Sequence, residues 1–209
     1  MKAVLISTRP KWCERIASGW KTVEVRKTRP NIATPFKCYI YCTMPNTKDP
    51  HQLLEIHGSD GKIRKANGKV IGEFVCSHIE PLKPALEPYG IYDIDDDYLM
   101  RTCLTHDAFW KYGNGATLYG WHISDLKIYD KPKELSEFWA YNEGLHKRHD
   151  TETDFCCYDA TDENGEALTD CGEAYNDILN CYRCWEEWSG WCHHVTRPPQ
   201  SWMYVEENV

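Results

Sequence analysis

Ser18-Gly19-Trp20-Lys21-Thr22-Val23-Glu24-Val25-Arg26-Lys27 is the stretch whose reading decides the fold. After a turn on Gly19, polar Thr22, Glu24 and Arg26 alternate with Val23 and Val25. A period of two marks a strand that sends the valines into a core and the acid and guanidinium out together on the other face. Lys21 stands at its start. Two readings fit this pattern: a pocket floor where an acid and two bases meet, or a surface ion pair of little energetic weight.

Working outward, Arg9-Pro10-Lys11-Trp12 opens a helix with Thr8 as its expected cap, and Gly19 stands just past its end. Trp12 and Ile16, four apart, share the side that packs down. Lys2 to Ser7 before it is a strand, and Phe36 to Cys42 after it another. Residues 43–61 read as an excursion with at most one helical turn around His51 to Ile56. Lys62 to Lys65 and Lys69 to Cys76, joined through Asn67-Gly68, read as a hairpin with a basic tip. Glu73 is the one acid among those strand residues and follows Gly72, where a backbone or a ligand is able to approach closely.

The aspartates Asp93, Asp95, Asp96 and Asp97 read as a solvated face or helix caps. Thr105 to Tyr112 is expected to be a helix capped by Thr105, and Thr117 to Tyr129 a strand. A helical turn is expected at Glu134 to Trp139 and a closing strand at Ser201 to Glu206. Many strands, few helices and a late insertion predict an α+β fold: a small mixed β-barrel with flanking helices, residues 1–139 with 196–209, interrupted by an acidic, cysteine-rich insertion at 140–195.

Charge divides the chain more sharply than its net −8 shows. Residues 1–48 hold ten Lys or Arg against two acids, whereas residues 149–209 hold two against fourteen. A basic N-terminal surface suits a polyanion, and the acidic residues 149–187 suit a protein partner. Neither surface excludes an ordinary solvated role. No apolar run approaches the ~20 residues that span a bilayer, and Met1 to Ser7 is too short for a secretory signal, so a cytoplasmic location is expected.

Of the eleven cysteines, Cys13, Cys38, Cys42, Cys76 and Cys103 sit singly among apolar residues as small hydrophobes. Cys156, Cys157, Cys171, Cys181, Cys184 and Cys192 crowd the insertion. Cys181-x-x-Cys184 is half of a tetrahedral zinc site, with Cys171, Cys156 or Cys157, Cys192, His193 and His194 available to complete it; reduced core cysteines are the alternative. Around Asp162-Glu163-Asn164-Gly165 a calcium loop fails at both ends, where Ala160 and Cys171 replace the required acids.

Gly19-x-Lys21-x-x-Glu24-x-Arg26 after its tryptophan-bearing helix resembles the signature of the ASCH domain family. Val70-Ile71-Gly72-Glu73-Phe74, Tyr119-Gly120-Trp121-His122-Ile123 and Pro198-Pro199-Gln200-Ser201-Trp202 resemble later strands of the same domain. The resemblance spans roughly residues 1–138 and 196–209 and implies a PUA-like barrel whose cleft is floored by the motif strand. It also implies an association with RNA or modified nucleobases; some such proteins deacylate a modified cytidine and others are described as ribonucleases. In the amidohydrolases a lysine, a threonine and a glutamate act together. Lys21 matches the lysine and Glu73 the glutamate, but Glu24 stands where the threonine belongs, and a carboxylate is no hydroxyl nucleophile.

If these groups line one cleft, Lys21 and Arg26 hold a phosphate or carbonyl oxygen, Glu24 or Glu73 accepts from a base edge, and Trp12, Tyr119 or Trp121 stacks the ring. Lys11 adds positive charge. For hydrolysis, Glu73 or Glu24 deprotonates a water while Lys21 stabilises the oxyanion, and His122 shuttles protons. Three functions remain open from the sequence: an RNA- or nucleotide-binding domain, a small hydrolase (amidohydrolase or ribonuclease), and an interaction protein acting through its acidic lobe.

Overall fold

The computed structural model describes residues 2–45, 53–85, 92–140 and 195–207. Its larger unit is Ala3–Leu135 with Pro198–Met203. Here β1 (Lys2–Thr8) runs parallel to β3 (Phe36–Cys42), with Val4 opposite Cys38 and Ile6 opposite Ile40. β3 pairs antiparallel with β6 (Lys69–Leu82), β6 with β7 (Leu118–Lys133), and β7 with β2 (Val23–Arg26). The strand order is β2-β7-β6-β3-β1, with the start of β9 (Trp202–Glu207) beside β1. Among its described residues, three helices complete the unit: α1 (Pro10–Ala17), α2 (Asp96–Thr102) and α3 (His106–Gly113). The expected α+β architecture, a mixed sheet with flanking helices, is present.

In the second unit, the described residues form β8 (Phe138–Ala140), antiparallel to the later residues of β9, after a short 3-10 turn at Leu135–Glu137. Phe138 is buried and its carbonyl accepts from Val195 N.

Strand periodicity placed the elements, but it understated their burial. All four residues of β2 are buried, so Glu24 and Arg26 do not emerge into solvent. Likewise both faces of β1 are covered from Ala3 to Ile6. Cys13, Cys38, Cys42 and Cys76 are buried free thiols, and burial pushes Cys13 and Cys38 up and Cys76 up to about 12. All four behave as small hydrophobes, as their positions predicted, and Cys13, Cys38 and Cys76 stay protonated.

Three local expectations are corrected and a fourth is resolved. Thr8 does not cap α1, whose N-cap Arg9 makes no side-chain cap bond; the Thr8 hydroxyl instead accepts from Arg26 Nη2 at 3.2 Å. Residues 55–57 are a strand rather than a helical turn, because β4 (Glu55–His57) pairs with β5 (Ile63–Lys65). That pairing also removes the hairpin expected between β5 and β6. The Asn67-Gly68 turn remains, with Gly68 at φ +79°, and Asn67 Oδ1 accepts from Leu54 N at 2.8 Å. Of the two readings of the aspartate run, the helix cap is the one present: Asp95 accepts from Tyr98 N at 2.7 Å at the start of α2, and Asp96 and Asp97 complement the first turn.

Candidate binding site

The ends of β1 and β2 meet although the two strands stand four places apart in the sheet order. Arg26 makes that seam. Its Nη1 donates to Ser201 O at 3.0 Å and its Nη2 to Ser7 O at 3.0 Å, so one guanidinium joins β2, β1 and the segment entering β9. A planar group with five donors in a fixed fork is suited to this, and a lysine is not.

Beside it, Glu24 places one carboxylate oxygen 2.9 Å from Arg26 Nε and the other 3.3 Å from Lys21 Nζ. Lys21 in turn donates to Val23 O at 2.9 Å and to Thr102 O at 2.8 Å. Thr102 is the last residue of α2, so its carbonyl is one of those a helix leaves unpaired, and the ammonium sits at the negative end of the helix. The three residues are 3%, 7% and 6% exposed for Lys21, Glu24 and Arg26. Two cations and one anion leave the cluster a net positive charge in a place with little water, where charge counts most.

The cluster floors a pocket of about 510 Å³. Its walls include half-buried Trp12, exposed Arg9, Tyr112 at the end of α3, and the segment Pro198-Pro199-Gln200. Lys21 Nζ lies 5.4 Å from the Trp12 ring centroid. The size is that of a small-ligand site, with two aromatic surfaces and a positive floor.

Of the residues singled out from the sequence, Lys21, Glu24, Arg26 and Trp12 are brought together here. Lys11 is not on this pocket; with Arg9, Trp12, Leu53 and Glu55 it lines a neighbouring cavity of about 700 Å³, and its ammonium lies 4.9 Å from the Trp12 ring. Glu73 is elsewhere. It pairs with Tyr39 and Lys127 across the sheet, and its carboxylate accepts from the Tyr129 hydroxyl at 2.5 Å. The close approach at Gly72 is by backbone: a Cβ there would lie 2.4 Å from Lys127 O.

Trp121 is fully buried and packs edge-on to Phe36 at 5.9 Å and against Trp202 at 6.3 Å, so it belongs to the core. Tyr119 carries the Arg29 guanidinium 5.9 Å from its ring and does not line the pocket. The cysteine and histidine set expected to bind zinc, Cys156, Cys157, Cys171, Cys181, Cys184, Cys192 and His193, lies outside the described residues.

His122 belongs to a second polar cluster. Its Nε2 lies 2.5 Å from Glu80 Oε1, its Nδ1 is 3.0 Å from Arg101 Nη2, and its ring stacks on His78 at 3.6 Å and 20°. Burial first, then the nearby charges of His78 and Arg101, hold its pKa below the ordinary histidine value against the opposing pull of Glu80. For Glu80, burial acts upward, but hydrogen bonds with His122 and Tyr98 hold it below the usual carboxylate range.

His78, Glu80 and His122 bring three donor atoms of the metal-binding kind within 4.8 Å of one another. Two features of the arrangement oppose an ion. Lone pairs of nearly parallel stacked rings lie in separate planes and do not converge on a point ~2 Å from both nitrogens. Moreover, a ring ligating through Nε2 would carry its proton on Nδ1, facing the Arg101 guanidinium, whereas ligating histidines turn that N–H toward an acceptor. As it stands the cluster is a hydrogen-bond network.

No family model matches the chain, and no curated protein does. Solved structures do. The described fold is similar to ASCH domain structures. The crystal structure of ASCH from Zymomonas mobilis is 21% identical, with 64% of this chain and 73% of that chain covered and a TM-score of 0.42. Two mutant proteins of the same ASCH match alike: one at 21% identity, 65% and 77% coverage, the other at 22%, 64% and 74%, both with a TM-score of 0.42.

The sequence reading missed Arg9, Tyr112, Arg101 and Thr102. Tyr112 carried a signal, since it stands in the last turn of a helix whose start at Thr105 was legible. Arg101 and Thr102 carried one too, because an aspartate cap followed by two acids and an apolar pair announces a helix, and the end of that helix reaches Lys21.

Proposed function

We propose that this chain binds RNA or a nucleotide-sized ligand in the pocket floored by β2. The observation that carries this reading is the buried Lys21-Glu24-Arg26 cluster beneath Trp12 and Tyr112. A net positive floor attracts phosphate or carbonyl oxygens, and aromatic walls take up a base by stacking, a combination tolerant of sequence. Arg9 at the rim adds a cation free of the buried network's constraints, well suited to a backbone phosphate.

A hydrolytic role is less well supported by the same geometry. Each Lys21 donor already has a partner, each Glu24 oxygen faces a cation, and the expected second carboxylate, Glu73, is bound to Tyr129.

Fluorescence anisotropy with a labelled single-stranded RNA of about ten nucleotides tests the reading across a salt series. Binding should weaken steadily as salt rises, with a slope set by the number of phosphates contacted. Trp12→Ala should weaken it further, by roughly the ~1–3 kcal/mol of one stacked base. Absence of binding, or binding indifferent both to salt and to Trp12, would overturn it.

A further inference from the structure

We propose that His122, acting through Arg101, is a positioning residue for Lys21, so that the protonation of its ring governs where the pocket's buried ammonium sits. This rests on reading the Lys21 pocket as a binding site, and it starts from the chain of contacts behind that pocket.

A guanidinium has donors only, so His122 Nδ1, 3.0 Å from Arg101 Nη2, is the acceptor. The single proton of the neutral ring therefore rests on Nε2, which donates to Glu80 Oε1. Arg101 extends the connection to β2: its Nε donates to Thr22 Oγ1 at 3.4 Å, and its carbonyl accepts from Thr22 N at 2.9 Å. The next residue is Thr102, whose carbonyl accepts from Lys21 Nζ. His122, Arg101, Thr102 and Lys21 thus form one continuous path along the last turn of α2.

A second proton on the ring has to go on Nδ1, where it points at the guanidinium. An attractive contact at 3.0 Å becomes a repulsive one between two cations, and Arg101 has to leave. The side-chain tie from Arg101 to Thr22 Oγ1 goes with it, the last turn of α2 is then held to β2 by backbone alone, and the Thr102 carbonyl shifts so that its contact with the Lys21 ammonium weakens. The ammonium retains Val23 O and Glu24 and gains freedom to turn toward the pocket.

The groups that face the ring are few and define this switch. On β6 they are Glu80, which favours the second proton, and His78, which opposes it; the buried Cys76 thiol on the same strand stays neutral. On α2 they are Arg101, which opposes it, and Tyr98, whose ring lies 6.0 Å away and whose phenol is pushed up by burial and by Glu80. β2 contributes Val23, opposite His122 in the ladder, and no titratable side chain at that point.

The test is NMR of the full chain between pH 5 and 8, following the His122 ring, the Lys21 side-chain resonances and the Thr22 amide. The Lys21 and Thr22 signals should move with the midpoint of the His122 ring, below the ordinary histidine value. In His122→Gln, whose amide keeps an acceptor for Arg101 and a donor for Glu80, they should stay at their high-pH positions throughout. In Arg101→Ala, the ring should still titrate while Lys21 no longer follows it. Should His122→Gln not fold, Arg101→Ala supplies the decisive comparison.

Lys21 signals that stay flat through the His122 titration of the unaltered chain overturn the proposal. So do signals that follow pH equally in either variant. No ligand enters the experiment, so a failure to bind RNA leaves its outcome standing, and its failure leaves the binding measurement untouched.

Discussion

The Nζ of Lys21 and the carbonyl oxygen of Thr102, 81 residues apart in the chain, lie 2.8 Å from one another. This contact makes the pocket floor and the end of α2 a single structural feature. The lysine that the sequence presents as a ligand-facing base is also a helix-terminating cation, and its two roles share one ammonium.

Lys21→Met should therefore destabilise the fold as well as alter the pocket. It keeps most of the side-chain length but leaves two buried carbonyls without their donor and removes one cation from Glu24. Breaking one partner out of a buried ion pair costs about 3–5 kcal/mol. Urea denaturation should show a loss in that range with an unchanged slope; a loss below ~1 kcal/mol would mean that the ammonium is not committed as described.

Arg26→Lys should fail to conserve. A point ammonium cannot span Ser7 O, Ser201 O and Glu24 at once, so at least one charged hydrogen bond is lost, worth about 1.5–3 kcal/mol. The loss should appear in the denaturation midpoint, and amide exchange at Ser7, whose N–H donates to Ser201 O at 2.9 Å, should accelerate. Unchanged exchange at Ser7 would argue against Arg26 as the clasp of that seam.

Stability should fall on the acid side. His122 is held below its ordinary value, so between that lowered value and ~6.5 the unfolded chain binds the proton the folded chain refuses, and stability drops as pH falls through this window. Glu80, also lowered, adds stability that is present above its ordinary value and lost as pH falls through the folded one. Both act in the same direction. Thermal melts at pH 5.0 and 7.0 should differ in the unaltered chain, with a smaller difference in His122→Gln; equal differences would remove His122 from the account.

Gly72→Ala should cost about 1–3 kcal/mol, the range for overpacking, because its Cβ would meet the Lys127 carbonyl at 2.4 Å and a backbone atom yields only by shifting the β6-β7 ladder. Gly19→Ala meets nothing within 4 Å, but Gly19 has φ +76°, so its smaller cost is conformational. The ratio of the two losses, read from denaturation, separates steric from backbone causes.

The fold was legible where periodicity and punctuation agreed. β1, α1, β3 and α3 lie close to where alternation, Pro10, Gly19 and Thr105 put them, and the mixed architecture followed. Pairing was harder to read. The Asn67-Gly68 turn is real, yet which strands it joins is decided by what lies across the sheet, and β5 found its partner in β4. In the site, adjacency along β2 sufficed to group Lys21, Glu24 and Arg26. Glu73, Tyr119 and Trp121 lie on other strands, and their place depended on the sheet's faces and curvature, which a period of two leaves undetermined. The helix that carries Arg101 and Thr102 was announced by its aspartate cap, but their contacts with Thr22 and Lys21, across 79 and 81 residues, were not.

The measurement that tests the central claim most directly is chemical-shift mapping by NMR with adenosine monophosphate and with a short single-stranded RNA as probes. The account predicts saturable shifts centred on Lys21, Glu24, Arg26, the Trp12 indole and Tyr112, larger for RNA and reduced by salt. Saturable shifts centred instead on the His78-Glu80-His122 face, or none with either probe, would contradict it.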